Sequence, residues 1–356
     1  MLVYIIYFVV IACFAVEYEF RPFESNTLLG ILIVAMALLA GLRGENIDKD
    51  YDNYIYSFEM LYNTNNLLIF TLYEPGYIAI VRLVRLLFDV NYPVVILLFC
   101  AFVSVFLKIT NIKKLAINPY LAILFYFSHY FLLHEMTQIR IGLAAALFFV
   151  AISYYLKGER IKFVGIVLLA CLFHYSAIFY LFVLFFDTVS FNRIIYFSLI
   201  LLSFLLAFVH VPFTGYLNNL NLGDVSSKLE IYTEMNIFDN INVLNLLNLC
   251  NIFACTYLIF FTPAKVLITD KRLIFFLKCN IFSIFLLSFL SEVPGITFRF
   301  SQLFGVVAMF VFCYLAKFLP FSKFNIFFVI LIGAVFLYYN ISKTGIIGSY
   351  HITSFK

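Results

Sequence analysis

Charged residues are scarce in this chain of 356 residues: they make up 12% of the sequence, against 65% hydrophobic residues, and the mean hydropathy is +1.04. A soluble domain carries about 25% charged residues, so this inventory cannot cover a water-exposed surface. The composition excludes a soluble enzyme, a secreted disulfide scaffold and a disordered chain. No segment is long and polar enough to form a separate soluble domain, and we expect residues 1–356 to form a single transmembrane domain.

Several motifs that carry chemistry are absent. The seven cysteines form no CxxC pair and have no histidine at metal-ligand spacing, so we interpret them as small apolar fillers. There is no glycine-rich nucleotide loop, no GxSxG elbow, no HExxH and no DxD-like metal pair. We therefore expect neither a metal nor a cofactor and exclude a cytoplasmic nucleotide-sugar enzyme. A net charge of +4 is too small to indicate a nucleic-acid partner.

Long apolar runs are present instead, separated by short polar connectors. A membrane-spanning helix needs about 20 apolar residues, so the pattern predicts an all-α, polytopic integral membrane protein with about ten transmembrane helices. The predicted spans lie near residues 1–16, 27–42, 91–110, 119–135, 137–156, 193–211, 243–262, 273–291, 298–316 and 325–340. The first run lacks a basic leader and a small-residue cleavage site, so we predict a retained helix rather than a signal peptide.

Two apolar stretches do not fit simple spans. We predict that residues 76–88 are a re-entrant or surface-lying segment, and that residues 163–186 enter and return on the cytoplasmic side, with His174 at the turn. Residues 76–88 would make a helix of only about 20 Å. Residues 163–186 are long enough to cross once, but Phe173, His174, Tyr175 and Ser176 interrupt them at the middle. The alternative is that each stretch is an ordinary span.

Lysine and arginine concentrate in cytoplasmic loops, and this rule sets the predicted orientation. It places the connectors that contain Lys108 and Lys113, residues 157–162 and residues 265–278 on the cytoplasmic side. The outer loops are then residues 43–75 and 212–242. The unusual polar residues gather on this outer face.

Three arginines are candidate ligand-binding residues. Arg140 and Arg299 each lie near the start of an apolar helix, where a charge is costly and usually functional or paired. Arg43 begins the first outer loop. Several arginines on one face indicate an anionic ligand, because guanidinium binds phosphate in a bidentate manner. The competing interpretation is that each arginine reaches the headgroups or a solvated loop.

Candidate proton carriers lie close to these arginines in the sequence. His174 marks the interruption of its apolar stretch, Glu74 precedes a Pro-Gly turn, and His134 and Glu135 stand before the helix of Arg140. An imidazole or a carboxylate there can pass a proton or hold a sugar hydroxyl. The alternative is a hydrogen-bonded structural role, as in many intramembrane histidines.

Three sequence blocks then point to a family. They are Leu42-Arg43-Gly44 followed by Asp50, Tyr51 and Tyr54; Glu74-Pro75-Gly76-Tyr77; and Gln138-Ile139-Arg140 followed by Phe173-His174-Tyr175-Ser176-Ala177. Together they resemble the EpsG/Wzy-type polysaccharide polymerases, which extend O-antigens and capsules. Arg299 before an aromatic-rich helix is a weaker fourth match. The chain departs from the family pattern at residues 45–48, where Asp48 competes with Asp50 for the acidic position, and at Ile141, where the family has glutamine.

The resemblance implies a GT-C-like, metal-independent glycosyltransferase in the bacterial inner membrane. It would join undecaprenyl-pyrophosphate-linked oligosaccharide repeat units at the periplasmic face, with a lipid-linked donor and acceptor as substrates. A chain-length regulator and a flippase are the implied partners. Arg140, Arg299, Arg43 and Gln138 would bind the pyrophosphate. The catalytic candidates are His174, Asp50, Glu135 and Glu74.

Two other functions remain open from the sequence. An O-antigen ligase uses the same lipid carrier and would share an arginine-rich outer face. A flippase or transporter of a polyanionic lipid would often show internal repeats and charges near the membrane midplane. We find no convincing repeat, and the polar residues collect at one face, which favours catalysis at an interface.

Overall fold

The computed structural model describes residues 1–63, 72–88, 92–187, 190–209, 242–291 and 293–353. In these ranges the chain is helical, with isolated β-bridges and no strand. The all-α prediction is confirmed, and the recurring apolar helices identify a polytopic membrane protein. Most of the predicted outer loop 212–242 and part of loop 43–75 lie outside the described residues.

The first of two compact units comprises Met1–Leu181 and Leu319–Lys356. Its helices are α1 (Leu2–Phe20), α2 (Asn26–Gly41), α3 (Tyr51–Asn63), α4 (Pro75–Leu87), α5 (Tyr92–Leu115), α6 (Pro119–Phe125), α7 (Ile139–Leu156), α8 (Arg160–Cys171) and, near the C-terminus, α15 (Asn325–Tyr338). Two π-helices, Tyr126–Glu135 and Tyr339–Lys343, continue α6 and α15. π-Helical turns are rare and occur frequently at functional sites.

The second unit is Phe182–Phe318. Its helices are α9 (Arg193–Leu206), α10 (Leu246–Phe261), α11 (Ala264–Thr269), α12 (Lys271–Phe289), α13 (Pro294–Gly305) and α14 (Ala308–Phe318). A 3₁₀-helix, Tyr175–Asp187, contains the boundary between the units.

A helix is found at each of the ten predicted span positions, but the helices differ in length. In the described part of the chain, five are long and apolar enough to cross a membrane alone: Leu2–Phe20, Tyr92–Leu115, Ile139–Leu156, Lys271–Phe289 and Asn325–Lys343. Thr297–Gly305 and Ala308–Phe318 make a sixth candidate that is bent by 48°. The remaining apolar helices are shorter, so the number of crossings stays a prediction.

Local sequence explains where several helices begin. The side chain of Ser25 accepts a hydrogen bond from the amide of Leu28, and Asn118 does the same for the amide of Leu121. Each satisfies an amide that the first turn of a helix leaves without an intrahelical acceptor. Pro75 occupies the first position of α4, where its fixed φ suits the helix and its missing N–H costs nothing.

The two irregular stretches have the features that the sequence predicts, a short helix in the first and an interruption in the second. Residues 76–88 are covered by α4, which is only 13 residues long. In residues 163–186, α8 ends at Cys171, the chain turns through His174, and the 3₁₀-helix follows. His174 therefore lies at a turn, as predicted, whereas the re-entrant course of both stretches stays a prediction.

One connector prediction is wrong. Lys108 does not lie in a cytoplasmic loop, because α5 continues to Leu115 and the Lys108 side chain is completely buried. Lys113 and Lys114 lie in the last turn of this helix, next to the connector that follows it. The predicted span ended near residue 110, whereas the helix continues through these lysines to Leu115.

An aromatic core fixes α3, α4, α5 and α7 against one another in the first unit. Its buried residues include Tyr54, Phe58, Tyr77, Ile96 and Leu143, one or two from each helix. This packing holds the N-terminal ends of α4 and α7 in place, and polar residues lie at both ends.

Candidate active site

Glu74, directly before α4, is the centre of a buried polar cluster. Its side chain is 3% exposed. One carboxylate oxygen accepts a hydrogen bond from Nη1 of Arg140 at 2.7 Å. The other lies 3.0 Å from Nδ1 of His174 and 3.4 Å from the amide nitrogen of Tyr175. The fold thus brings together three predicted site residues, because Arg140 and His174 are 66 and 100 positions from Glu74 in the sequence.

A close backbone contact explains how Glu74 reaches His174. The amide of Gly76 donates to the carbonyl oxygen of Leu172 at 2.8 Å. A Cβ atom at Gly76 would lie 2.8 Å from the same oxygen, so a side chain there would push the two segments apart. The glycine therefore permits α4 to start directly against the turn that carries the imidazole.

Tyrosines place Arg140 within this cluster. The amide of Ile139, at the start of α7, donates to the hydroxyl of Tyr54 at 3.1 Å. The rings of Tyr73 and Tyr77 lie 5.4 and 5.6 Å from the guanidinium carbon of Arg140. At these distances an aromatic face attracts a guanidinium. The Arg140 side chain is still 28% exposed, which makes it the most accessible member of the cluster.

Charge and hydrogen bonding fix the protonation of the cluster. Burial raises the pKa of the Glu74 carboxyl, but the hydrogen bond from His174 and the charge of Arg140 lower it more strongly, so its pKa lies below the ordinary value. Glu74 is therefore a carboxylate at neutral pH, and a carboxylate only accepts hydrogen bonds. Nδ1 of His174 must then carry a proton and donate it to Glu74.

The second ring nitrogen of His174, Nε2, points away from the hydrogen bond between Nδ1 and Glu74 and is the group left for a substrate. In a neutral imidazole protonated at Nδ1, Nε2 is an acceptor. Nε2 is buried and has no hydrogen-bond partner among the residues that the structure describes. An oriented imidazole with an unused lone pair is able to accept a proton or a hydrogen bond from a substrate hydroxyl.

Two other predicted residues lie at a second polar cluster. Arg43 is completely buried, and its Nε donates to Asp48 at 2.7 Å. The other carboxylate oxygen of Asp48 accepts from the amide of Asp50 at 3.0 Å. Asp50 lies directly before α3, where its carbonyl oxygen accepts from the amide of Tyr54. Asp48, rather than Asp50, is thus the acidic partner of Arg43.

Glu135 occupies a third buried cluster. Its carboxylate forms an ion pair with Lys108 and accepts a hydrogen bond from Tyr126 at 2.8 Å. His134 is also completely buried, and within the described ranges neither of its ring nitrogens has a hydrogen-bond partner. These contacts hold Glu135 among the helices. Its partner Lys108 lies in the second half of α5, whereas the residues that α5 contributes to the aromatic core lie in the first half.

The last two predicted residues belong to different compact units. Gln138 directly precedes α7, and its side-chain oxygen is buried without a hydrogen-bond partner in the described residues. Arg299 lies in α13, in the second unit, and its side chain is exposed.

The sequence reasoning missed the tyrosines that line Arg140. Tyr54 and Tyr77 belong to the family-like sequence blocks, but the sequence assigned them no role. Tyr73 directly precedes the block that begins at Glu74. Burial raises the pKa of the Tyr54 phenol, so this residue is a neutral hydrogen-bonding group and not a base. The sequence signal for these residues was the pair of tyrosines, Tyr73 and Tyr77, that flanks the start of α4.

No group of three or more His, Cys, Asp or Glu side chains suited to a metal ion occurs within the described ranges. The cluster around Glu74 offers instead one guanidinium, one imidazole and one carboxylate. These groups supply a positive charge that is partly exposed, on Arg140, and a buried proton acceptor, on His174.

Comparison with known families gives one finding: the model described as the EpsG family matches residues 26–352. The matched region contains all three polar clusters and both compact units almost completely. No curated protein and no solved structure matches the chain.

Proposed function

Because the chain belongs to the EpsG family, whose model covers residues 26–352, we propose that it is a polysaccharide polymerase. In this proposal it joins oligosaccharide repeat units that are linked to undecaprenyl pyrophosphate, for an O-antigen or a capsule. It acts at the periplasmic face of the bacterial inner membrane, with about ten crossings in a GT-C-like arrangement. A chain-length regulator and a flippase complete the proposed set of partners.

The observation that carries this proposal is the Glu74–His174 hydrogen bond beside Arg140. Transfer of a sugar from a lipid pyrophosphate has two chemical requirements. A hydroxyl must lose its proton, and a leaving group must have its developing negative charge stabilised. The cluster supplies an oriented imidazole for the first and an accessible guanidinium for the second.

The proposed step forms one bond and breaks one bond at the anomeric carbon of the donor chain. The acceptor hydroxyl oxygen bonds to the anomeric carbon of the donor chain, and the bond from this carbon to the pyrophosphate oxygen breaks. The hydroxyl proton passes to Nε2 of His174, while Glu74 holds the Nδ1 proton and stabilises the imidazolium that forms. The electron pair of the broken bond stays on the lipid pyrophosphate.

Arg140 is the proposed binding group for that pyrophosphate. One of its nitrogens is engaged by Glu74, and the exposed remainder of the guanidinium has further N–H donors. A guanidinium can stabilise the leaving group without a metal. Arg299 and Gln138 stay predicted pyrophosphate-binding residues on the sequence argument.

A purified, full-length protein in lipid nanodiscs, supplied only with lipid-linked repeat units, tests the function directly. We expect a ladder of lipid-linked polymer from the wild type and none from His174→Ala at equal protein level. His129→Gln is the matched control, because His129 is a partly buried histidine whose ring contacts Asn340 rather than the cluster.

The same assay separates the alternatives. A ligase makes no polymer until a lipid A core acceptor is added, and a flippase moves the lipid-linked unit between leaflets without lengthening it. Either of these results from the wild type would refute the polymerase proposal. In cells, deletion of the gene should collapse the surface polysaccharide ladder to a single repeat unit.

A further inference from the structure

Arg43 has a hydrogen-bonding capacity that its buried surroundings leave unused. Its Nε donates to Asp48, and its Nη1 donates to the carbonyl oxygen of Ala40 at 2.8 Å. Its Nη2 is buried and has no acceptor in the part of the chain that the structure describes. A buried charged donor without an acceptor is energetically unfavourable, so an oxygen that accepts a hydrogen bond from Nη2 would stabilise this site.

The hydroxyl of Tyr4 has the same need at the same place. Tyr4 is completely buried in α1, and among the described residues its oxygen has no hydrogen-bond partner. It lies within electrostatic range of Arg43, Asp48 and Tyr350. The ring of Tyr4 meets the ring of Tyr350 edge to face at 6.2 Å between centroids. Two unfilled donors, one charged and one neutral, therefore share one buried location.

The C-terminal tail, residues 345–353, covers this location. Three backbone hydrogen bonds attach it: the amide of Gly44 donates to the carbonyl oxygen of His351, that of Thr353 to Leu42, and that of Gly348 to Ile47. The side chains of Thr353 and Tyr51 are also hydrogen-bonded to each other. Ile347 is the buried side chain of the tail, whereas Ile352 is 61% exposed. The tail starts at Gly345, whose φ of +57° turns the chain back from α15.

Such a tail is held weakly. Segments with few buried apolar contacts and exposed backbone hydrogen bonds open at low free energy. The unfilled donors beneath the tail also disfavour its closed position relative to a position in which a ligand oxygen reaches them. The tail is therefore able to lift, and a ligand whose oxygen accepts hydrogen bonds from the unfilled donors favours the lifted position.

The local charge selects the class of ligand. Residues 43–52 contain two basic residues, Arg43 and Lys49, and four acidic residues: Glu45, Asp48, Asp50 and Asp52. The excess of two negative charges opposes a phosphate at this location. An uncharged oxygen, such as a sugar hydroxyl or the carbonyl of an N-acetyl group, can accept from both donors without this repulsion.

We propose that Arg43 and Tyr4 form a subsite for an uncharged saccharide oxygen, and that the C-terminal tail lifts to admit it. The proposal rests on the proposed function, since it takes the oligosaccharide repeat as the ligand. It gives Arg43 a role in recognising sugar rather than pyrophosphate. Lifting breaks the three tail hydrogen bonds, and the ligand oxygen supplies the acceptor that Nη2 and the Tyr4 hydroxyl lack.

Hydrogen exchange of the full-length protein in nanodiscs tests the proposal with two probes. One is the free oligosaccharide repeat, released from its lipid carrier by mild acid, and the other is inorganic pyrophosphate. We expect the oligosaccharide to speed exchange in the peptides that contain Gly44, Gly348 and Thr353, while amides in the middle of α7 stay unchanged. Pyrophosphate should leave the tail peptides unaffected.

Two pairs of variants sharpen the test. Tyr4→Phe should keep the melting temperature, because the lost hydroxyl has no partner among the described residues, and weaken the oligosaccharide response about three- to tenfold. Tyr7→Phe is its control: it loses a hydrogen bond to the carbonyl of Ala35, so its melting temperature should fall while its response persists. Ile347→Ala should raise tail exchange without any ligand, and the exposed Ile352→Ala should not.

Each opposite result overturns the proposal. An oligosaccharide that leaves the tail peptides of the wild type unchanged removes the lifting step, and release by pyrophosphate alone removes the ligand class. A Tyr4→Phe protein with the full wild-type response removes the subsite. Polymer formation by the same protein preparation, supplied separately with lipid-linked repeat units, distinguishes the two proposals: a wild type that polymerises without a tail response sinks only this inference, whereas a wild type that makes no polymer sinks the proposed function.

Discussion

At the scale of single residues, Glu74 links charge to orientation. It accepts hydrogen bonds from Arg140 and from His174 with different oxygens, so it fixes both groups while remaining inaccessible itself. This geometry favours a positioning role for Glu74 over the role of base. It also makes the ionisation of Glu74 a condition for the orientation of its two partners.

Replacing Glu74 by glutamine should lower polymerisation about 10- to 1,000-fold, because the amide offers one oxygen for two donors and no longer fixes the imidazole tautomer. Polymer yield at equal protein level measures the loss. Glu159→Gln is the control, since Glu159 pairs with Lys162 at an exposed position. Full activity in Glu74→Gln would contradict the positioning role.

Acid should dismantle the cluster in a defined direction. The pKa of Glu74 is lowered in the folded protein, so the stability that its ionisation contributes is present above the unfolded value of about 4.3 and is lost as the pH falls through the folded value. Thermal unfolding of the wild type and of Glu74→Gln should therefore converge as the pH falls below about 4. Curves that stay parallel from pH 7 to pH 3 would contradict this expectation.

His174 distinguishes proton transfer from hydroxyl placement. Glutamine can replace part of the hydrogen bonding of imidazole but cannot accept the proton, so His174→Gln should lose about 100- to 10,000-fold in turnover if His174 is the base. A loss below about tenfold, with a raised KM for the acceptor, indicates that the histidine only places a hydroxyl. Normal polymerisation by His174→Ala would return the search for a base to Asp48, Asp50 and Glu135.

Arg140 should be sensitive to geometry as well as charge. Arg140→Lys keeps the positive charge but loses the planar fork that reaches Glu74 and a phosphate together, so we expect a loss of about 10- to 100-fold, close to that of Arg140→Ala. Arg160→Lys is the control, because Arg160 contacts the carbonyl oxygen and ring of Tyr155 at the other end of α7. A full polymer ladder from Arg140→Ala would leave Arg140 as an interfacial anchor.

At the scale of elements, the contact between the start of α4 and the turn after α8 assembles the site. Gly76→Ala places a methyl group against the Leu172 carbonyl oxygen and should cost about 1–3 kcal/mol together with most of the activity. Gly165→Ala, in α8, has open space around the new methyl group and should keep both stability and activity. Thermal unfolding and polymer yield measure the two effects, and an active, stable Gly76→Ala protein would contradict this account of the site.

The elements themselves were largely predictable, whereas their pairings were not. A helix lies at each of the ten span positions that the apolar runs predict, because a membrane span requires a long run of apolar residues. The break at His174 was visible as polar residues within such a run. The Glu74–His174 pair was not, because the Gly76–Leu172 contact that creates it depends on packing between segments about 100 positions apart. Glu135 shows the same limit: it lies five positions before Arg140 in the sequence, but its ion-pair partner is Lys108 on another helix.

At the scale of the whole molecule, orientation in the membrane remains the main prediction. We expect residues 43–74 and the C-terminal tail on the periplasmic side and residues 157–162 in the cytoplasm. Single cysteines at Asn53 and Gly158, in a variant without the seven native cysteines, should label from opposite sides with a membrane-impermeant maleimide. Labelling of both positions from the same side would show that residues 76–88 cross the membrane as an ordinary span.

The bridge between Arg43 and Ile352 also has a consequence for the order of biosynthesis. Ile352 follows Arg43 by 352 − 43 = 309 residues, so at about 5–20 residues per second the loop around Arg43 waits roughly 15–60 s for its cover. During that interval α1, α2 and the loop have already left the ribosome, and the buried donors of Arg43 and Tyr4 are open to water or to lipid headgroups. A ribosome that stops before the tail therefore releases a chain whose helices are complete but whose first loop is never closed.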